Sequence, residues 1–219
     1  MLRRLVCITP AIVLALTLSS LAQQEIYDNG PTNGTVDAWA INAGFITSDT
    51  FTLNYQFSVS SLTFAAWLYP GDVIESAEVS ITSSEFGGTT FFDGVVSFTQ
   101  SNCTTNQYGF SLCDETGEFR SVMLNSGTYW LNLQNAVLNA DDPVYWDENS
   151  GPSSASQNSV GTIPSESFTL EGPWCMCGCS NRPDCEPPPT SPEPSSLTLS
   201  LSGVTTIFGA LAAFRRRIF

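Results

Sequence analysis

Apolar side chains recur at every second position through the middle of this chain, a spacing that suits one face of a β-strand and no face of a helix. Leu62, Phe64, Ala66 and Leu68 share one such face. After the turn Pro70-Gly71-Asp72 the alternation resumes at Val73, Ala77, Val79 and Ile81, with a bulge near Glu75 to restore phase. Further strands are expected at Val36 to Ile41, Thr50 to Tyr55, Thr89 to Phe98, Gln107 to Leu112, Thr128 to Ala136, Pro143 to Asp147 and Ser165 to Leu170. These strands are short, rich in Val, Thr, Phe, Tyr and Trp, and punctuated by Gly, Asn, Ser and Pro. The fold class they predict is all-β, an antiparallel β-sandwich of jelly-roll type. Connections as polar as Ser150 to Asn158 are expected outside its core. The absence of an internal repeat argues against a propeller or solenoid.

Composition removes much familiar chemistry. The 219 residues include no histidine, and all seven basic residues are arginines: Arg3, Arg4, Arg120, Arg182, Arg215, Arg216 and Arg217. Without imidazole there is no Ser-His-Asp triad, no Cys-His pair and no His-ligated metal. Without lysine there is no Schiff base and no phosphate-loop lysine. Between Gln23 and Pro194 lie all 21 acidic residues and only Arg120 and Arg182, a net charge of −19. That field excludes nucleic acid and anionic lipid headgroups as partners.

The two ends read as addresses. Arg3-Arg4, an apolar run from Leu5 to Leu18 and the small residues of Ser20-Leu21-Ala22 make residues 1–22 a secretory signal peptide, cleaved by signal peptidase after Ala22. At the other end, Pro192-Glu193-Pro194 precedes an apolar stretch from Leu197 to Phe214 and then Arg215-Arg216-Arg217. Eighteen helical residues reach about 27 Å, just short of a hydrocarbon core of about 30 Å, so the expected transmembrane helix is a marginal anchor. The arginines hold its far end cytoplasmic, which exports everything before it.

In their order, Pro-Glu-Pro, short hydrophobic helix and arginine cluster resemble the PEP-CTERM sorting signal, over residues 192–219. The resemblance implies processing by a membrane-embedded exosortase near Pro192-Glu193-Pro194. It also implies a cell-surface or matrix destination in a Gram-negative bacterium that exports polysaccharide. The segments Ser83 to Thr89 and Pro143 to Asn149 are similar to sandwich domains found upstream of such tails, which implies a fold and no activity. Domain organisation is therefore expected as signal peptide 1–22, β-sandwich 23–172, Cys/Pro-rich linker 173–194 and sorting signal 192–219.

Six cysteines follow the signal, an even number suited to disulfides in an oxidising compartment. Cys103 and Cys113 flank a hairpin through Tyr108 and are expected to pair with each other. Cys175, Cys177, Cys179 and Cys185 form a tight group with three possible connectivities, and a four-thiolate metal site is the competing reading.

The segment Asp141-Asp142-Pro143-Val144-Tyr145-Trp146-Asp147-Glu148-Asn149 holds the densest set of candidate contacts. Its carboxylate and amide oxygens suit a structural calcium, the one cofactor the sequence suggests. Tyr145 and Trp146 instead suit a sugar ring, and strand geometry lets only one of the two face outward. Against both stands a structural role, with one ring in the core and the acids in solvent. An enzyme needs only two carboxylates for glycoside hydrolysis, and Glu85, Asp147 and Glu148 are the candidates. Tyr129 and Trp130 read as core. The sequence thus predicts a non-enzymatic, exported structural or polysaccharide-binding protein, with a secreted carbohydrate-active enzyme as the alternative.

Overall fold

A computed structural model of the chain describes residues 23–173. The signal peptide, the Cys175 to Cys185 group, the Pro192-Glu193-Pro194 tripeptide, the apolar stretch and the arginine cluster lie outside the described residues.

Twelve strands, all paired antiparallel, make up this part of the chain, and no helix occurs among the described residues. They are β1 (Gln23–Asp28), β2 (Ala38–Ala40), β3 (Ile46–Leu53), β4 (Phe57–Leu68), β5 (Ile74–Ser84), β6 (Gly87–Thr105), β7 (Ser111–Leu124), β8 (Gly127–Leu138), β9 (Tyr145–Asp147), β10 (Ala155–Gln157), β11 (Gly161–Ile163) and β12 (Phe168–Pro173). Their order is β1-β12-β4-β7-β6-β5-β8-β3-β10-β11, with β9 joining β4 and carrying β2 outside it. The 19-residue β6 holds the two halves together. Up to Ser97 it pairs with β5, and from Phe98 onward it pairs with β7.

The expected alternation places the core. Leu62, Phe64, Ala66 and Leu68 of β4 are all buried, as are Ala77, Val79 and Ile81 of β5. A register shift between Ile74 and Ser76 supplies the bulge around Glu75, but its consequence is that Ile74 points inward while Val73 is exposed. Across the interior, Phe168 meets Tyr27, Phe51 and Trp146 with ring centroids 5.5, 6.4 and 5.6 Å apart. Each such ring removes 150 Å² or more from water, on the order of 2 to 3 kcal/mol.

Two expectations are corrected. The segment from Ser150 to Asn158 is not wholly outside the core: Ala155–Gln157 is strand β10, buried against β3. Gln157 enters because it is bonded, its Nε2 donating to the Ala40 carbonyl at 3.3 Å. The second hairpin strand does not begin at Gln107. Asn106 to Phe110 form the turn, closed by Asn106 N to the Phe110 carbonyl at 3.0 Å, and β7 runs on to Leu124. Cys103 and Cys113 face each other across this hairpin and are disulfide-bonded. Closing a ten-residue loop stabilises by roughly 2 to 3 kcal/mol.

A buried acid on β7 opposes the fold. Glu115 of β7 lies opposite Phe64 and Gln100, is 0% exposed, and neither carboxylate oxygen has a hydrogen-bond partner. Burial pushes its carboxyl up to about 8, with Asp114 adding to the effect. A carboxyl raised in the folded state favours folding only while protonated. Its contribution is complete below the ordinary glutamate range and is lost as pH climbs toward about 8. Glu115→Gln is therefore expected to leave stability little changed near pH 5 and to raise it by on the order of 2 to 4 kcal/mol near pH 9. Thermal melts of both proteins across that range, followed by circular dichroism, check the sign.

Candidate functional site

Register decides which residues reach the outer face of β4. With Leu62 to Leu68 turned inward, Thr63, Ala65, Trp67 and then Tyr69 turn outward. Tyr145 lies opposite Trp67, and Trp146 lies opposite Ala66, so Tyr145 shares the outer face while Trp146 enters the core. Trp146 is fully buried and its indole N–H donates to the Ser167 carbonyl at 2.8 Å.

Around Tyr145 an aromatic cluster forms from three separate parts of the chain. Phe110, at the end of the β6–β7 turn, lies 5.1 Å from Tyr69, 6.0 Å from Tyr145 and 5.8 Å from Trp67, centroid to centroid. Tyr108, at the turn itself, lies 5.6 Å from Trp67. Trp67 forms the floor at 6% exposure, whereas Tyr69 and Tyr108 are 42% and 58% exposed. Burial raises the Tyr145 hydroxyl above the usual phenol range, and Tyr69 adds to the shift. The hairpin tip is fixed by Asn106 Oδ1, which accepts from the backbone N–H groups of Tyr108 and Phe110, each at 3.0 Å. Gln107 Nε2 donates to the Thr35 carbonyl at 2.8 Å, tying the tip to the segment between β1 and β2.

Asp147 secures the floor. Its Oδ1 accepts from Gly34 N at 2.8 Å and from Trp67 Nε1 at 2.6 Å, and its Oδ2 accepts from Asn33 N at 2.8 Å. Burial raises this carboxyl and the three bonds oppose the rise. Gly34 has a φ of +65°, which favours glycine, and an added Cβ there would have to displace the Leu112 Cδ2 methyl of β7. Asn149 is likewise committed to structure, its Nδ2 donating to the Asn29 carbonyl at 2.9 Å and its Oδ1 accepting from Gly151 N at 2.9 Å.

The nine-residue candidate segment is thus split. Asp141 and Asp142 are exposed and Tyr145 joins the aromatic cluster, while Trp146, Asp147, Glu148 and Asn149 are buried. Burial in the β4–β5 turn raises the Asp72 carboxyl, and Asp142 adds to the effect. Of the carboxylates considered for hydrolysis, Glu85 is exposed in the β5–β6 turn and Asp147 has both oxygens bonded. Among the described residues no group of three or more acidic or cysteine side chains is disposed to hold a metal ion. Tyr129 is buried as expected for core, and Trp130 is half-buried.

Away from the aromatics the same outer face is lined by hydroxyls. Thr169, Thr63, Thr116 and Thr99 stand in one row across β12, β4, β7 and β6. Thr63 and Thr116 share a hydrogen bond of 2.9 Å. An open groove of about 410 Å³ beside them is lined by Ser97, Thr99, Ser101, Thr116 and Glu118. Sequence reasoning missed Trp67, Tyr69, Tyr108 and Phe110. The available signal was their i, i+2 spacing, which sets each pair on one face of an extended chain.

No protein-family model matches the chain, and no curated protein matches it.

Asp147→Asn is expected to destabilise the fold by about 1.5 to 3 kcal/mol, because the amide N–H₂ that replaces one oxygen meets either the Asn33 backbone donor or, in the flipped rotamer, those of Gly34 and Trp67, and the charge-assisted character of the remaining bonds is lost. A fall in Tm accompanied by faster proteolysis between residues 30 and 36 checks this, and an unchanged cleavage pattern counts against it.

Proposed function

We propose that this chain is an exported, non-enzymatic surface or matrix protein of the PEP-CTERM type that binds polysaccharide on the outer face of β4, β7 and β9. The observation that carries the reading is the aromatic cluster: Tyr69 and Tyr108 offer exposed ring faces, and Phe110, Tyr145 and Trp67 hold them in place. Ring faces stack on the apolar faces of sugars, while Asp142 and the threonine row supply partners for hydroxyls. The face carries carboxylates and no arginine except Arg120, which favours a neutral polymer over an anionic one.

The finer architecture belongs to the same proposal. The curled sheet is a jelly-roll-like sandwich, a reading supported by Phe51 of β3 packing in tilted and edge-on contact with Tyr27 and Phe168. The Cys103–Cys113 disulfide supports an oxidising destination. The tail, by its resemblance, supports transient anchoring and exosortase processing.

Affinity electrophoresis through a panel of neutral and acidic polysaccharides tests the binding. Retention by a neutral polymer is expected, weakened several-fold by Tyr69→Ala or Tyr108→Ala with little change in Tm. New reducing ends would mark the protein as a carbohydrate-active enzyme instead. For the sorting signal, the mass of the native exported protein is expected to correspond to a chain ending near Pro194, and a chain continuing to Phe219 removes the processing step.

A further inference from the structure

Glu148, directly after β9, and Glu166, shortly before β12, stand opposite each other in an isolated antiparallel bridge. The flanking bonds run from Asn149 N to the Ser165 carbonyl and from Ser167 N to the Asp147 carbonyl, each at 2.8 Å. This pattern makes Glu148 and Glu166 a non-hydrogen-bonded pair, the arrangement in which opposing side chains share a face and approach most closely. Two like charges in that position repel.

Among the described residues no cation stands beside the pair to offset the repulsion. Glu166 is 0% exposed and both of its carboxylate oxygens lack any hydrogen-bond partner. Glu148 is 8% exposed, its Oε2 accepting from the Trp39 indole at 3.0 Å. Asp49, Asp147 and Asp37 add their charge at Glu166. Among the described residues the one cationic side chain is Arg120, exposed on β7. A proton shared with Glu148 removes one charge of the pair but still leaves the second oxygen of Glu166 buried without a donor.

We propose that a calcium ion sits between Glu148 and Glu166, bridging their carboxylates. Oxygen donors without imidazole or thiolate select a hard cation, and calcium tolerates the irregular shell that a strand pair offers. Among the described residues no third acidic side chain joins the two, so carbonyl and water oxygens complete the coordination. Few charged ligands place the affinity in the weak class of extracellular modules, a dissociation constant of about 0.1 to 1 mM. The ion ties the exit of β9 to the approach of β12, and it does not depend on polysaccharide binding.

The test uses the exported chain stripped with a chelator, near pH 8, by equilibrium dialysis against radioactive calcium and by thermal denaturation. One bound calcium per chain is expected, with Tm rising by several degrees at about 5 mM calcium. Glu166→Gln and Glu148→Gln are each expected to abolish both signals. Because either change removes the like-charge contact, the variants are expected to fold without calcium at least as well as the stripped parent. Absence of saturable binding by the parent overturns the proposal, as does a calcium response that survives in both variants. If the parent ignores calcium and Glu166→Gln stabilises it near pH 8, the occupant is a proton and the proposal fails.

Discussion

The outer face is organised by a carboxylate that never reaches solvent. Asp147 gathers two backbone N–H groups from the segment between β1 and β2 and the indole N–H of Trp67, and charge-assisted bonds of this kind are among the strongest a protein makes. Burying a carboxylate is costly unless its lone pairs are filled, and here three donors fill them. One side chain thereby draws an irregular segment down onto the sheet and fixes the ring on which the aromatic cluster rests. A second knot lies nearby, where Asp49 Oδ2 accepts from Asn29 Nδ2 at 3.0 Å, from Ser153 Oγ at 2.8 Å and from Glu166 N at 2.7 Å. Both knots join parts of the chain more than a hundred residues apart, so the local geometry of the face is a product of long-range closure.

How much of this was legible in the sequence depends on what holds each element. Strands β4, β5 and β8 could be read because one face of each is apolar throughout. Strand β7 was largely missed because its inward positions include Glu115 and Gly117, which break the apolar rhythm. Strand β10 was missed for the opposite reason, its polar Ser156 and Gln157 being buried, Gln157 through a hydrogen bond that composition does not report. Strand parity did allow one of Tyr145 and Trp146 outside, but only the pairing of β9 with β4 selects Tyr145. The cluster itself joins Tyr69, Tyr108 and Tyr145 from three turns and edges, and no local pattern contains that register.

The acids of this chain fall into two populations with different physics. Those at the surface, such as Asp141 and Asp142, contribute to a uniformly negative field and to solubility. Those inside sort further by their partners. Asp147 and Asp49 are saturated with donors and act as fasteners, whereas Glu115 and Glu166 are enclosed without any. A domain with scarcely any basic residues cannot balance buried acids by ion pairs, so each must be held by N–H groups or neutralised by something outside the chain.

Strands β12 and β4 run antiparallel, with Glu171 beside Ser61 and Phe168 beside Phe64. The chain therefore leaves Pro173 at the end of β4 remote from Tyr69, and Gln23 is paired with Pro173 at that same end. From Ser61 to Tyr69 is about 26 Å of extended chain. A pull applied between the Tyr69 end of this face and Pro173 would be directed along β4 and β12 rather than across them. Neighbouring ladder bonds then share the load at once instead of parting one by one, which is the arrangement of a mechanically tough fastening.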